Sequence, residues 1–181
     1  MTVTTHKFSS EQYHLMAIAG VFVPETRLEL IKGEIIKMSP IGRKHAACVA
    51  KLQYLLHQNF ANRSIIWTQN SIMLDDGSEP QPDLTLLKLR DDFYAERLPI
   101  PEDILLIIEV ADSTINYDRD IKIPLYAEFG IPEAWLIDVN NKNLIRYTNP
   151  NLRGYKNTES LDGSDMASVL GVEIAVKDIL G

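Results

Sequence analysis

Two carboxylates stand beside apolar stretches that predict buried β-strands. Asp83 follows Pro82 and precedes the apolar run 84–87, and Glu109 ends the run 104–108. A carboxylate beside several aliphatic residues is costly to bury unless a positive group compensates its charge. Carboxylate oxygens are the ligands that Mg²⁺ prefers, and the ammonium of Lys122 is a further candidate for the same site. The three residue types therefore predict metal-assisted chemistry at a phosphate, provided that the fold brings them together.

The elements that must position these residues follow from hydrophobic spacing and from turn signals. Helical spacing or caps predict helices over three segments, residues 9–19, 43–60 and 118–129. Apolar runs predict strands over 65–74, 84–88, 104–110, 134–139 and 143–147, and a β-hairpin turns at Lys32-Gly33 within 27–38. The tail from Gly154 onward mixes turns with weak strands and is expected to be peripheral.

This order predicts the α/β class: a mixed central β-sheet flanked by helices, with an extra N-terminal helix and β-hairpin. If the strands over 84–88 and 104–110 are antiparallel neighbours, the start of one meets the end of the other. Asp83 and Glu109 then lie at the same end of the sheet. Lys122, on the helix that follows, must pack back on this sheet and can reach the same end.

Composition sets the broad class. The chain has 181 residues, 45% hydrophobic and 24% charged, which predicts one folded domain over residues 1–181. The net charge of −7 argues against a broad basic surface for non-specific nucleic-acid binding. The single cysteine, Cys48, excludes an intrachain disulfide and a cysteine-rich zinc site. The apolar runs are shorter than a membrane helix, and no signal-peptide core is visible, so no membrane association and a cytoplasmic location are expected.

The ordered motifs resemble the PD-(D/E)XK nuclease superfamily, through Pro82-Asp83 and Glu109-Val110-Ala111. Within it, the chain is most similar to the bacterial family of proposed restriction endonucleases of the Uma type. The segments that carry this closer resemblance are 28–35, Ser39-Pro40, the helix start near His45, Ser113-Thr114, 118–120 leading to Lys122 and Tyr126, and 130–138. Together they span roughly residues 8–150.

The resemblance implies a restriction-endonuclease-like core that hydrolyses DNA phosphodiester bonds with Mg²⁺, for which Mn²⁺ can substitute. It assigns the metal to Asp83 and Glu109. The superfamily has a lysine two residues after the glutamate, and this chain has Ala111 at that position. The resemblance therefore makes Lys122 the candidate that orients the attacking water or stabilises the phosphate. Glu34, on the early hairpin, is a candidate accessory ligand or orienting carboxylate.

Further residues are candidates for contacts with DNA. Arg43, Lys44 and His45 begin the long helix, whose N-terminus attracts anions. Lys51 and Arg119 are additional candidate phosphate contacts, which position the strand without reading its sequence. Since cleavage of both strands of a duplex favours two active sites, a two-fold homodimer is the expected assembly.

Each candidate also has a structural interpretation. Asp83 suits a turn after proline, and Glu109 suits a structural ion pair with Arg119 or Lys122. Lys122 is equally compatible with a solvated helix face, and strand alternation does not decide whether Glu34 faces outward. His45 fits an ordinary surface residue of the first helical turn slightly better than a phosphate contact. At the level of function, the alternative is a catalytically silent module on the same fold that binds nucleic acid or protein. A third possibility is a metal-dependent enzyme acting on RNA or on a smaller phosphodiester.

Overall fold

The computed structural model of the chain describes residues 3–181. Its helices are α1 (Ser10–Ile18), α2 (Arg43–Phe60), α3 (Ile115–Tyr117), α4 (Ile123–Glu128) and α5 (Val176–Leu180), with a π turn (Asp118–Lys122) joining α3 to α4 and a 3₁₀ turn at Pro101–Asp103. Its strands are β1 (Leu28–Ile31), β2 (Glu34–Lys37), β3 (Ile65–Thr68), β4 (Leu84–Leu87), β5 (Ile104–Ala111), β6 (Glu133–Asp138), β7 (Asn143–Asn151), β8 (Gly154–Leu161), β9 (Met166–Val169) and β10 (Val172–Ala175). Within 3–181, no helix combines the length and the apolar character needed to cross a bilayer.

Six strands form the central sheet in the order β3-β4-β5-β6-β7-β8. All neighbours are antiparallel except β5 and β6, which are parallel, so the sheet is mixed, as predicted. The predicted N-terminal helix and hairpin are present as α1 and β1–β2. The antiparallel pairing of β4 with β5 is confirmed, with Leu84 opposite Ile108. Asp83 and Glu109 each lie one residue beyond that pair, at the same end of the sheet.

Each face of the sheet carries its own hydrophobic core. One core contains the buried stripe of α2, with Leu52 and Leu56, together with alternate residues of β4 and β5. The other contains α4 and the opposite residues of the same strands, such as Ile107 and Ala111. The expectation that the C-terminal tail is peripheral is wrong, because Val169, Ile174, Val176 and Ile179 are buried in the α2 core. The strand signals in the tail are weak, and its packing partners in the α2 core are distant in sequence. Local patterns therefore did not predict that the tail is buried.

The strand before Asp83 is shorter than predicted, and its end helps to position that carboxylate. The predicted strand over 65–74 ends at Thr68, and Gln69 adopts a left-handed conformation with φ of 50°. The backbone N–H of Gln69 then donates to the carbonyl of Asp83 at 3.1 Å. This hydrogen bond at the end of β3 thus holds the residue that precedes β4.

The helix that carries Lys122 is widened in its middle. The predicted helix over 118–129 begins earlier, at α3, and its residues 118–122 form a π turn before α4. Pro124 accounts for the π turn, because proline has no N–H to donate to the carbonyl four residues earlier and its ring crowds that carbonyl. The wider turn carries two buried charged residues, Asp118 and Lys122, that line the same pocket.

Candidate active site

Asp83 is held in the anionic form by three neighbours. Its side chain is 9% exposed. The backbone N–H of Val110 donates to its Oδ2 at 2.9 Å, the amide of Gln69 donates to its Oδ1 at 3.1 Å, and Nε2 of His45 lies 2.9 Å from Oδ2. Burial acts to raise the pKa of Asp83, but the bonds from His45, Val110 and Gln69 outweigh it and lower that pKa. Asp83 is therefore more than a turn residue.

Glu109 is buried in the central strand with two donors. It is 3% exposed. The ammonium Nζ of Lys122 lies 2.7 Å from its Oε1, and the phenol of Tyr126 donates to the same oxygen at 2.5 Å. Burial raises the pKa of Glu109 to about 8, against the opposing effect of Lys122. The strand thus places a carboxylate where its charge needs further compensation.

Lys122 lies among carboxylates and not on a solvated helix face. It is 2% exposed, and its Nζ is 3.3 Å from Oε2 of Glu29 as well as 2.7 Å from Glu109. Burial acts to lower the pKa of Lys122, but the charges of Glu109, Glu29 and Asp118 outweigh it, so the pKa stays above its usual value. Lys122 therefore carries its positive charge inside the site.

Glu29 is the site residue that the sequence reasoning missed. It lies on β1, is 2% exposed, and accepts a hydrogen bond from the backbone N–H of Gln81 at 3.2 Å. Glu34 lies instead at the turn end of β2, where its 60% exposed side chain pairs with Lys7 at 2.5 Å. The structure thus does not bring Glu34 to the cluster. A carboxylate inside the apolar run 28–31 was the available signal, and it is the signal that identified Glu109.

A fourth carboxylate completes the cluster. Asp118 is 5% exposed, accepts a hydrogen bond from the hydroxyl of Thr114 at 2.6 Å, and has a pKa that burial raises. Among residues 3–181, the hydroxyl of the adjacent Tyr117 and Nδ1 of His45 are buried without a hydrogen-bond partner. Both residues line the pocket described below.

The buried carboxylates of the site are the type of ligand that a hard divalent cation prefers. Glu29, Glu109 and Asp118 are buried carboxylates that act on the ammonium of Lys122, and Asp83 is a fourth buried carboxylate in the same pocket, so acids outnumber the buried ammonium. Hard oxygens in such excess fit Mg²⁺, which is commonly bound through only one or two carboxylates and waters. The described part of the chain contains no ready-made group of three or more His, Cys, Asp and Glu around a common metal position. The residues described do not form a closed protein cage, and a Mg²⁺ ion held here by one or two carboxylates would keep several waters.

The cluster lies at the inner end of a pocket of about 330 Å³. The walls are the loop 38–42 between β2 and α2, the turn 112–114 after β5, and the hairpin residues Arg27, Ile36 and Lys37. The buried carboxylates and Lys122 are 2–7% exposed, whereas Ile41 on the outer loop is 41% exposed. A ligand that enters this pocket therefore meets the charged cluster at its end.

The predicted phosphate contacts divide between the pocket and the outer surface. His45 lines the pocket and contacts Asp83. Lys44 is exposed and donates to Asn140 at 3.2 Å, and Arg119 pairs with its neighbour Asp120 at 2.8 Å. Four of the five predicted phosphate contacts are absent from the pocket lining formed by residues 3–181. These four are Arg43, Lys44, Lys51 and Arg119. Two cations that the sequence did not single out, Arg27 and Lys37, line it instead.

Comparison with known proteins agrees with this architecture. A family model named Uma2 and described as "Putative restriction endonuclease" matches residues 10–177. The fold is similar to the crystal structure of a protein from Anabaena variabilis ATCC 29413, described as "a putative nuclease belonging to DUF820", with a TM-score of 0.71. The two chains are 16% identical, and the match covers 96% of this chain and 97% of that one, so this likeness shows the fold. A search of curated proteins found no match. Because the family model spans most of the chain, the predicted membership is confirmed: the protein belongs to the Uma2 family and has a restriction-endonuclease-like fold.

Proposed function

We propose that the protein is a divalent-metal-dependent nuclease that hydrolyses phosphodiester bonds of DNA, with Mg²⁺ as the metal and Mn²⁺ as a substitute. The observation that carries this proposal is a single pocket whose lining contains four buried carboxylates and the buried Lys122. A structural ion pair requires only one carboxylate for each ammonium, and the surplus acids are stabilised in their ionised form by a further positive charge. Membership of the Uma2 family supports a nuclease-type hydrolase.

Asp83 and Glu109 are the residues that would hold the metal. A bound divalent cation polarises a phosphoryl oxygen and lowers the pKa of a coordinated water. Asp83 suits this role because its three neighbours keep it ionised and fix its orientation. Glu109 suits it because Lys122 offsets only part of the effect of burial on its pKa, so a bound cation would further stabilise the ionised carboxylate.

Lys122 is the proposed catalytic cation. Its ammonium orients the attacking water or stabilises the negative charge that develops on the phosphate. Glu29 lies 3.3 Å from Nζ and is a positioning residue that holds the ammonium beside Glu109. The orienting role expected of Glu34 therefore suits Glu29 better, since Glu34 is on the surface.

The pocket lining suggests which residues meet the DNA. His45, Arg27 and Lys37 are the proposed contacts close to the scissile phosphate. Lys44, Arg43, Lys51 and Arg119 are proposed as outlying phosphate contacts, where they position the strand. The two-fold homodimer and the cytoplasmic location remain predictions from the sequence.

A second candidate function is a catalytically silent binding module on the same fold. The observation that favours it is the direct Glu109–Lys122 ion pair at 2.7 Å, which gives Glu109 a partner without any metal. In this case the pocket binds its ligand but the cluster only stabilises the fold. Measurements of metal binding and of phosphodiester hydrolysis distinguish the nuclease from the silent binding module.

A plasmid-nicking assay with Mg²⁺ or Mn²⁺ tests the nuclease. Asp83→Asn, Glu109→Gln and Lys122→Met should each lower the nicking rate by about 100-fold or more, the loss typical of removing one group that stabilises a transition state. Glu128→Gln is the matched control, because Glu128 lies on α4 in an exposed ion pair with Lys32. Folded Asp83→Asn and Glu109→Gln variants that nick at the wild-type rate would refute the metal assignment.

The same set of proteins tests the orienting carboxylate and the silent module. Glu29→Gln should reduce nicking more than Glu34→Gln, since only Glu29 contacts Lys122. Isothermal titration calorimetry with Mg²⁺ and Mn²⁺ should show binding that Asp83→Asn weakens. A wild-type protein that neither nicks DNA nor binds either ion is the silent module.

A further inference from the structure

The proposed reacting groups are almost closed off from solvent. Asp83, Glu109 and Lys122 are 7%, 3% and 2% exposed, and the pocket of about 330 Å³ is their route to the surface. This volume is near the lower end of the range of roughly 300–1,000 Å³ for small-molecule sites. It suits one nucleotide-sized group. A rigid duplex carries its phosphates on a wide cylinder, which does not fit inside a volume of this size.

The rim of the pocket is fixed on one side by contacts between two walls. A Cβ placed on Gly42 would lie 3.0 Å from Oδ2 of Asp112, so the loop before α2 approaches the turn after β5 closely. Asn140 secures this approach, since its amide donates to the carbonyl and to Oδ1 of Asp112 at 2.6 and 3.0 Å. Lys44 donates in turn to Asn140 at 3.2 Å. Widening the rim for a duplex requires breaking this chain of contacts.

The charge of the pocket disfavours a dense row of phosphates. Its lining contains five carboxylates against three ammonium or guanidinium groups, one of which is the buried Lys122. The whole chain has a net charge of −7. Duplex DNA carries one negative charge per ~1.7 Å of axis, about twice the density of one of its strands. The pocket therefore repels a duplex more strongly than an unpaired strand.

One wall of the pocket is apolar. Its members are Ile36, Met38, Pro40 and Ile41. An unpaired strand exposes the faces of its bases, which pack on apolar and aromatic side chains, whereas a duplex stacks those faces inside. Ile41 is 41% exposed on the outer loop, so its side chain is accessible to an incoming base.

From shape, charge and the apolar wall, we propose that this site takes an unpaired nucleic-acid strand and not a continuous duplex. The inference rests on the proposed nuclease function and specifies its substrate. Supercoiled plasmid remains a valid substrate, because it unpairs locally. A homodimer with two aligned active sites is not required by a reaction on single strands.

Cleavage of matched oligonucleotides tests the substrate class. One labelled DNA strand is presented alone, as a blunt duplex, and as a duplex with an unpaired 3′ end, under the same salt and metal. The single strand and the unpaired end should be cut at least about 10-fold faster than the blunt duplex, with cuts in the unpaired part. A blunt duplex cut as fast as the single strand overturns the inference. If an RNA strand of the same sequence is cut and the DNA strand is not, the inference of an unpaired substrate is supported and the substrate is RNA.

Binding distinguishes failure of this inference from failure of the nuclease assignment. If no oligonucleotide is cut, the nuclease assignment fails, and fluorescence anisotropy with the same three DNAs still decides the strand form. Tighter binding of the single strand supports the inference, and equal or tighter binding of the blunt duplex overturns it. Ile41→Asp should weaken single-strand binding by about 3-fold or more, whereas Leu152→Asp, at an 84% exposed position outside the pocket, should not. An unchanged affinity in Ile41→Asp also counts against the proposed mode of binding.

Discussion

Lys122→Met should destabilise the metal-free protein strongly. The ammonium is 2% exposed and lies 2.7 Å from Glu109 and 3.3 Å from Glu29, which are themselves 3% and 2% exposed. Methionine preserves much of the volume but leaves two buried carboxylates without their shared partner. Removing one member of a buried ion pair typically costs about 3–5 kcal/mol, because the remaining charge is desolvated and unpaired. We expect a loss in this range in the free energy of unfolding.

The matched control is Lys32→Met. Lys32 pairs with Glu128 at 2.6 Å, but the two side chains are 58% and 41% exposed. An exposed pair of this kind contributes about 0–1 kcal/mol, since water screens the charges. The contrast between the two lysine variants therefore isolates the effect of burial from that of ion-pair distance.

Urea unfolding in the presence of a chelator measures both variants. Adding Glu109→Gln to Lys122→Met should restore part of the lost stability, because it removes one of the unpaired charges. Unpaired buried carboxyls have raised pKa values, so the stability of Lys122→Met relative to wild type should be regained as pH falls and those carboxyls bind protons. A Lys122→Met loss below about 1 kcal/mol, equal to that of Lys32→Met, would refute the description of Lys122 as a buried charge that the carboxylates require.

Three further predictions concern residues around the site and in the core. Tyr126→Phe removes the buried phenol that donates to Glu109 and should lower the free energy of unfolding by about 1–3 kcal/mol in urea titrations, the cost of leaving a buried polar group without its partner. No change would mean that Glu109 finds another hydrogen-bond partner. Ile179→Ala should cost about 2–5 kcal/mol by the same measurement, because this residue is 1% exposed in the α2 core, and a tail that is truly peripheral would show almost no loss. Burial raises the pKa of Tyr155 far above 10.0, so its stabilising contribution is complete below that pH and is lost as pH rises toward the folded-state pKa. In ultraviolet titrations, Tyr155→Phe should lack one late-ionising phenol that the wild type shows. If the missing phenol instead titrates near 10.0, the burial of Tyr155 is contradicted.

Local sequence was sufficient for most elements of the sheet and for the long helix. The stripe of α2 and the continuous apolar run of β5 carry their own periodicity, so their bounds were predicted closely. The strand before Gln69 and the helix around Pro124 were less well predicted. In both cases a single residue changes the backbone course, through a left-handed φ at Gln69 and through the missing N–H of Pro124.

The sequence by itself determined that Asp83, Glu109 and Lys122 were unusual, because charges beside apolar runs need partners wherever the chain folds. It also determined the family, since an ordered set of motifs is specific even when each is weak. Only the tertiary structure decided which carboxylate joins Lys122. Glu29 and Glu34 lie on one hairpin, and the packing of β1 buries the first while the turn leaves the second in water. The pocket is likewise a tertiary property, because its two walls meet at Gly42 and Asp112, which are far apart in the chain and become neighbours only when α2 packs on the sheet.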